Sequence, residues 1–340
     1  MAETSQAAGS RGLTGTVTVL CLGSMPEEAV RSLLGGDSTA TRIMVEFPPN
    51  PAAGSTGGAL REVLARADLV ITDGGQRFRL DRERLTLMTR CRLIQQPSVG
   101  FEAIDHRAAA DLGIPVANCA GSNRDSVADW VVMGILNLIR HGAQGDRILR
   151  RGAWGAPAVG RELGALTVGI VGLGNVGSAV AVRLRAFGCP ILFTDVIPRS
   201  LPGAEEVSLE ELLSRSDVVT VHVPLDHDTH PLIGSVQLRT MRDGAILVNA
   251  SRGPVVDEAA LIENLDQGHL AGAALDVFEH EPLAEESPLR RFDNVFITSH
   301  SGGNTREARA RGREMVGANL RRVIAGLEPF NVVNGVGFRR

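Results

Sequence analysis

Short apolar runs alternate with helical patterns along almost the whole chain, and this alternation limits the fold more than any other feature. The runs have the length and composition of buried strands. Gly- and Pro-rich turns separate many of them from the helical patterns. Strands that alternate with helices form parallel sheets covered on both faces, so the sequence predicts an α/β protein.

The alternation occurs in two series. The first series has predicted strands at 16–22, 42–47, 67–72, 92–96 and 114–118, helices at 26–34, near 81–90 and at 104–113, and a loop at 50–58. The second series has predicted strands at 167–171, 190–195, 217–225, 245–251, 272–278 and 294–300, with helices at 176–187, near 208–215 and at 257–267. A helix that begins at Ser122 or Asn123 leads from the first series into the second, and a last helix spans 304–325. Because 340 residues exceed one ordinary core, we expect two doubly wound parallel-sheet domains, Rossmann- or flavodoxin-like, with a cleft between them.

The overall composition is that of an ordinary globular protein. Hydrophobic residues make up 44% and charged residues 22%, and the net charge of -4 gives no reason to expect nucleic acid or an anionic membrane as a partner. No apolar run approaches the ~20 residues that span a bilayer. The four cysteines lie far apart without a C-x-x-C pattern, which favours buried reduced thiols in a cytoplasmic protein.

Two missing residue types exclude several classes of enzyme. The chain has no lysine, so all 35 basic residues are arginine, and it has no tyrosine. A Schiff-base enzyme and a Walker-A NTPase both need a lysine. Dehydrogenases that use a Tyr/Lys pair are excluded as well, so an acid or base here must be histidine or a carboxyl group.

The sequence GLGNVG, from Gly172 to Gly177, indicates a dinucleotide site. The motif follows an apolar strand and opens a helix, which makes it more specific than six residues alone. Gly172 allows the tight turn, Gly174 the approach of a pyrophosphate, and Gly177 the close packing of helix and strand. Asp195 ends the next strand, where a carboxylate bonds both ribose hydroxyls and repels a 2′-phosphate, so NAD is the predicted cofactor.

Three polar residues follow predicted strands of the second series. Arg252, Glu281 and His300 come after 245–251, 272–278 and 294–300. Hydride transfer to a 2-oxo acid needs a polarised carbonyl and a proton donor. Arginine suits the first task, and histidine beside a carboxylate suits the second. Each residue also has an ordinary structural alternative, as a loop cap, a solvated acid or a structural histidine.

The other histidines offer a competing interpretation. His222, His227 and His230 surround Asp228, which resembles a metal site. The segment lacks ligands at a credible helical or hairpin spacing, so we expect no metal.

Taken together, the motifs resemble those of the D-isomer-specific 2-hydroxyacid dehydrogenase family from about residue 67 to 325. The matching segments are SVGFEAID (98–105), GIPVAN (113–118), GSNRDSVAD (121–129), GAW and GRELGALTVGIVGLGNVG within 152–177, HVPLDHDT (222–229), LVNASRGPVVDEAAL (247–261), AALDVFEHEPL (273–283) and TSHSGGNT (298–305). The resemblance implies that the last helix returns to the first domain. The expected division is a tail at 1–15, a substrate domain at 16–121 plus 304–340, and an NAD-binding domain at 122–303. The resemblance also implies a homodimer.

The resemblance assigns roles residue by residue. It implies that Arg252, Glu281 and His300 are the catalytic set, and that the backbone of Ser98, Val99 and Gly100 binds the substrate carboxylate. It places Asp276 at the nicotinamide amide. The remaining implied cofactor contacts are Asn175, Val176, Val223, Pro224, Thr229, Ala250, His300, Gly302 and Gly303.

The chain departs from the family pattern at several positions. Ser98, Glu102, Ser299 and Asp129 replace the usual Gly, Asp, Pro and Glu. Asp73-Gly74 stands where phosphoglycerate-specific members carry Arg-Ser, which argues against 3-phosphoglycerate as the substrate.

These motifs leave three hypotheses of function. The first is an NAD-dependent enzyme that interconverts a small D-2-hydroxy acid and its 2-oxo acid. A formate dehydrogenase is disfavoured, because that branch carries Gln in place of Glu281. A dinucleotide-sensing binding protein, like the corepressors of this fold, keeps the same Arg/Glu/His set and is the third.

Arg124 is a further candidate for binding substrate. It lies in the first turn of the helix that begins near Asn123, where a cation opposes the helix dipole. Pairing with Asp125 and Asp129 is one explanation. The other is that Arg124 binds a second anionic group of the substrate.

Overall fold

A computed structural model describes residues 12–35, 41–48, 58–155 and 158–337. Contacts divide the chain into two compact units, Met1–Ser122 with Arg309–Arg340, and Asn123–Ala308. Residues 1–11 of the predicted tail 1–15 and residues 50–57 of the predicted loop 50–58 lie outside the described residues. Leu13 already belongs to the first unit, because its N–H donates to Ile324 O at 2.7 Å.

The first unit is a five-stranded parallel sheet with helices on both faces. Its strands are β1 (Gly15–Cys21), β2 (Thr41–Glu46), β3 (Leu69–Ile71), β4 (Leu93–Gln95) and β5 (Val116–Ala117), in the order β2-β1-β3-β4-β5. Its helices are α1 (Glu27–Leu34), α2 (Gly58–Arg66), α3 (Arg82–Leu87) and α4 (His106–Asp111). Every residue of β3 and β4 is buried, as expected of strands covered on both faces.

The second unit is a seven-stranded sheet. Its helices are α5 (Arg124–Ile139), α6 (Gly142–Arg150), α7 (Asn175–Arg185), α8 (Leu209–Arg215), α9 (Ser235–Thr240) and α10 (Glu258–Asp266). Its strands are β6 (Val168–Val171), β7 (Ile191–Thr194), β8 (Glu205–Glu206), β9 (Val218–Val221), β10 (Ala245–Asn249), β11 (Leu270–Leu275) and β12 (Val295–Ile297). They lie in the order β12-β11-β10-β9-β6-β7-β8, and each strand is parallel to its neighbours. The last helix, α11 (Arg306–Ile324), begins in this unit and continues into the first.

The α/β prediction is confirmed, although three of the α-helices and one of the strands described were not predicted. These are α2, α6, α9 and β8. None of the residues of α6 is buried, so this helix contributes no side chain to a core. The two residues of β8 are exposed glutamates, a composition that does not indicate a strand. Among the described residues, no helix is long and apolar enough to cross a membrane.

Candidate active site

The glycine-rich turn lies between β6 and α7 in the second unit. Gly172 has a φ of +91°, a left-handed conformation that favours glycine. A Cβ on Gly177 would lie 2.0 Å from Gly172 O, so only glycine allows this packing. Gly174 is the N-cap of α7 and has open space on its Cβ side. The helix therefore begins with N–H groups available to an anion.

Asp195 lies beside this turn. Its Oδ2 accepts a hydrogen bond from Leu173 N at 2.7 Å, and its Oδ1 accepts one from Ile197 N at 2.9 Å. Each oxygen keeps lone-pair capacity, because a carboxylate oxygen accepts more than one hydrogen bond. The carboxylate that follows β7 therefore lies against the glycine-rich turn, as predicted.

The other predicted cofactor contacts occupy neighbouring strand ends. Asn175 and Val176 open α7, and Ala250 directly follows β10. Val223 lies so close to Gly172 that a Cβ there would be 2.9 Å from Val223 Cγ1. The loop after β9 is closed by Thr229, whose hydroxyl donates to Pro224 O at 2.7 Å. All of these groups thus belong to the same unit as the glycine-rich turn.

Arg252 is held by the loop that follows β10. Asn249, which is buried, donates from Nδ2 to Arg252 O at 2.9 Å and accepts at Oδ1 from Ser251 N at 3.0 Å. A Cβ on Gly253 would lie 1.8 Å from Phe278 O, so this loop packs tightly against the segment that follows β11. That segment carries Glu281.

His300 and Glu281 form a hydrogen-bonded ion pair. His300 Nδ1 lies 2.8 Å from Glu281 Oε2, and both side chains are partly exposed. The bond to Glu281 raises the pKa of His300, although burial and the charge of Arg252 oppose this. Burial acts to raise the pKa of Glu281, but the bond to His300, the charges of His300 and Arg252 and the bond from Phe278 N together lower it. The charge of Arg252 acts on the pKa of both groups, so the three residues lie within electrostatic reach of one another.

Asp276 organises the turn that carries His300. It is buried, and its carboxylate accepts from Ser301 N at 2.8 Å, from Gly302 N at 2.7 Å and from the hydroxyl of Thr298. His300 N donates to Asp276 O at 2.8 Å. His300 has a φ of +52°, which is uncommon outside glycine. These bonds fix the left-handed backbone from which the imidazole projects.

The predicted substrate loop lies in the first unit, after β4. Ser98 O accepts from Cys119 N at 3.0 Å, and Val99 O accepts from Asn118 Nδ2 at 2.7 Å. Within the described residues, the N–H groups of Val99 and Gly100 donate to no protein acceptor. Bonded carbonyls and available N–H groups suit a loop that binds a carboxylate.

Arg124 is the first residue of α5. Its Nε lies 3.5 Å from Asp125, and its side chain is 56% exposed. Asp129 does not share this pairing, because it binds Arg183 at 2.6 Å. The role of Arg124 towards substrate stays a prediction.

The histidine cluster that resembled a metal site does not assemble. His222 Nε2 lies 2.9 Å from Thr220 Oγ1, and burial lowers the pKa of His222 to about 3. His227 is exposed and pairs with Asp228. In the parts of the chain that the structure describes, no three His, Cys, Asp or Glu side chains form a potential metal site.

Comparisons with known proteins place the chain in a family. The profile described as "D-isomer specific 2-hydroxyacid dehydrogenase, NAD binding domain" matches residues 132–302. A glyoxylate reductase of Thermofilum pendens is 41% identical over 266 residues, which cover 75% of this chain and 78% of that protein. The chain belongs to the D-isomer specific 2-hydroxyacid dehydrogenase family. The predicted family, enzyme class and cofactor NAD are thereby confirmed.

Two further relatives carry different activities in their names. A D-3-phosphoglycerate dehydrogenase of Archaeoglobus fulgidus is 38% identical over 261 residues, covering 75% of this chain and 50% of that protein. The structure of D-lactate dehydrogenase from Aquifex aeolicus, complexed with NAD and lactic acid, aligns with a TM-score of 0.78 and 30% identity. It covers 94% of this chain and 98% of its own. Membership of the family therefore leaves the substrate open.

Three residues that shape this site were not predicted from the sequence. Asn249 holds the loop that carries Arg252, Thr298 bonds to Asp276 beneath the turn that carries His300, and Gly253 permits close packing against Phe278. A weak signal existed for Asn249, since it is a polar residue at the end of the otherwise apolar run AILVN. Thr298 and Gly253 follow no periodic pattern, because their partners are distant in the sequence.

Proposed function

We propose that the enzyme interconverts a small D-2-hydroxy acid and its 2-oxo acid, with Arg252, Glu281 and His300 as the catalytic set. The observation that carries this proposal is the His300–Glu281 pair, 2.8 Å apart, at the strand ends of the unit that contains the glycine-rich turn. In open α/β sheets, ligands bind at the carboxyl ends of the strands.

The residues divide the work by their chemistry. Bound NADH supplies the hydride that is added to C2 of the 2-oxo acid. Arg252 orients the substrate and polarises its carbonyl with a guanidinium that stays charged. His300 donates a proton to the developing alkoxide, and Glu281 keeps the imidazole protonated until then. In the reverse direction, neutral His300 removes the hydroxyl proton.

The proposed cofactor contacts lie in the same unit as this pair. We assign the pyrophosphate to Gly172, Gly174, Asn175, Val176 and Gly177 at the start of α7, and the adenosine ribose to Asp195. Asp276, Gly302 and Gly303 are assigned to the nicotinamide side. The remaining assigned contacts are Val223, Pro224, Thr229, Ala250 and His300.

The substrate carboxylate is assigned to Ser98, Val99 and Gly100. The support for this assignment is the pair of available N–H groups in a loop whose carbonyls are already bonded. Glyoxylate, 3-phosphoglycerate and lactate, the substrates that the relatives' names indicate, all fit a site that grips a carboxylate beside C2.

The test is NADH oxidation by the purified full chain with a panel of 2-oxo acids, followed by chiral analysis of the product. We expect turnover with at least one member and a D-configured product. NADH binding without turnover would instead support a dinucleotide-sensing protein. Reduction of NAD by formate would point to formate dehydrogenase, which the Glu281–His300 bond disfavours.

We also propose that the enzyme is a cytoplasmic homodimer. The four cysteines are free and buried, which suits a reducing compartment. In the second unit, Met133, Leu149, Trp154 and Val159 are exposed apolar residues on or after α5 and α6. A second copy of the chain would cover them. Light scattering should give twice the mass of 36.0 kDa, and Trp154→Glu should lower it.

A further inference from the structure

The loop after β3 holds an arginine in a fixed position. Asp73 is buried, and its Oδ2 accepts from Arg77 Nε at 3.0 Å and from Arg77 N at 3.1 Å. Its Oδ1 accepts from Gly75 N at 3.1 Å. The bond to Asp73 raises the pKa of Arg77. One carboxylate thus ties both ends of Arg77, backbone and side chain, to the end of β3.

Anchoring through Nε leaves the far edge of the guanidinium accessible. The side chain of Arg77 is 74% exposed, whereas that of Asp73 is 9% exposed. Across the described segments, no other hydrogen bond engages this guanidinium. Its two terminal NH₂ groups therefore form a bidentate donor that is suited to a carboxylate or a phosphate.

The loop of Arg77 and the proposed carboxylate loop both follow the carboxyl ends of neighbouring strands. Ile71 of β3 is in register with Gln95 of β4, so the loops that follow these strands are neighbours. The hydroxyl of Thr72 donates to Gln96, whose Nε2 donates to Ser98 Oγ at 2.6 Å. A Cβ on Gly74 would be 3.5 Å from Pro97 Cγ.

A second set of bonds ties the loops together at the other end. Gln76 has a φ of +56°, and its side chain spans the gap to the segment after Gly100. Its Oε1 accepts from Ala103 N at 2.9 Å, and its Nε2 donates to Glu102 at 2.8 Å. The loops 73–77 and 98–103 are therefore bonded to each other; the first carries Arg77, and the second carries the available N–H groups of Val99 and Gly100.

From this arrangement we propose that Arg77 is a specificity residue that binds a second anionic group of the substrate. The inference rests on the proposed function, because it takes residues 98–100 as the site of the first carboxylate. The substrate class is then a 2-oxo acid with a distal carboxylate, phosphate or phosphonate. Arg77 supplies the positive charge for this group from the loop that begins at Asp73.

The test compares one-anion and two-anion substrates in matched variants. Glyoxylate and pyruvate form the first group; 2-oxoglutarate, 3-phosphohydroxypyruvate and 3-phosphonopyruvate form the second. In Arg77→Gln, kcat/KM for the best two-anion substrate should fall about 10-fold or more, the loss of one charge-assisted bidentate contact. For glyoxylate it should change by less than about 2-fold, because glyoxylate has no group to meet Arg77.

Arg79→Gln is the matched control. Arg79 lies two residues away, is exposed, and its substitution changes the net charge equally. Arg79→Gln should leave kcat/KM unchanged for both groups of substrates. A second readout is competitive inhibition of glyoxylate reduction by succinate or 3-phosphonopropionate, which should weaken in Arg77→Gln and not in Arg79→Gln.

The possible failures are distinguishable. A wild-type chain that reduces no 2-oxo acid contradicts the proposed function itself. A chain that reduces glyoxylate but prefers it over every two-anion substrate contradicts the role of Arg77, as does an equal loss in Arg77→Gln for both groups. A selective loss in Arg124→Ala, with Arg77→Gln unaffected, would transfer the second anion to Arg124.

Discussion

Each unit has a point at which the strand order of its sheet reverses, but the residues at the two points differ. In the first, the strand order reverses direction between β1 and β3; in the second, it does so between β6 and β9. A glycine follows the first strand at each place, Gly23 in one unit and Gly172 in the other. Such switch points are where doubly wound sheets bind ligands. Topology alone would therefore allow a cofactor at either.

The residues at the two switch points decide between them. A Cβ on Gly23 would lie 3.3 Å from Asp73 Cα, so the first switch point is filled by its own chain, whereas Gly174 faces open space. Helix α1 begins with Glu27 and Glu28, but α7 has no acidic residue in its first turn. Carboxylates already complement the dipole of α1 and would repel a phosphate. The switch point of the second unit is thus open to a dinucleotide, whereas that of the first unit is closed by its own chain.

The largest expected effect concerns the proposed proton donor, His300, which belongs to the second unit. His300→Ala should lower kcat for 2-oxo acid reduction by ~100-fold or more, since the proton donor is lost. NADH affinity, measured by fluorescence titration, should change far less. His280→Ala, an exposed histidine next to Glu281, is the control. If His300→Ala keeps most of the wild-type kcat, the proton donor lies elsewhere.

A pair of glycine substitutions tests the open and closed switch points directly. Gly174→Ala places a methyl group in open space where the pyrophosphate is proposed to bind, so the Tm should hold while NADH affinity falls by roughly 10-fold or more. Gly23→Ala forces its methyl group against Thr72 and Asp73, so the Tm should fall while NADH affinity holds. Identical behaviour of the two variants would remove the distinction between the units.

Asp195 sharpens the comparison at the cofactor itself. Asp195→Ala removes the charge that repels a 2′-phosphate, so the ratio of kcat/KM for NADH over NADPH should fall by about 10-fold, the size of one charge-assisted hydrogen bond. Asp195→Asn keeps the shape of the side chain but removes its charge, so it separates the effect of the charge from that of the hydrogen bonds. A wild-type preference for NADPH would contradict the assigned role.

The sequence predicted the open switch point well and the anchoring contacts poorly. Strand, glycine turn, helix and acid follow one another within residues 167–195, so local pattern sufficed there. Helix α6 was missed because Gly142 and Gly145 lower its helical propensity and none of its residues is buried. Asn249, Thr298 and Asp73 were missed as anchors because each depends on loop geometry that periodicity does not encode.

The smallest predicted effect is a displacement along the pH axis, and it tests whether Glu281 tunes His300. Glu281 raises the pKa of His300, so Glu281→Gln should lower that pKa by removing a negative neighbour while Arg252 and its positive charge remain. Reduction needs the imidazolium. The fall of kcat/KM for 2-oxo acid reduction at high pH should therefore begin at a lower pH in the variant.

The rate of 2-hydroxy acid oxidation should rise with pH, whereas that of reduction falls, but both profiles should move in the same direction in the variant. Oxidation needs neutral His300, so its rise with pH should also begin at a lower pH in Glu281→Gln. Glu279→Gln, an exposed acid on the same segment, is the matched control and should leave both profiles in place. A purely structural role for Glu281 would lower the rates in both directions without moving either profile. Unmoved profiles would therefore remove Glu281 from the catalytic set while leaving His300 as the proton donor.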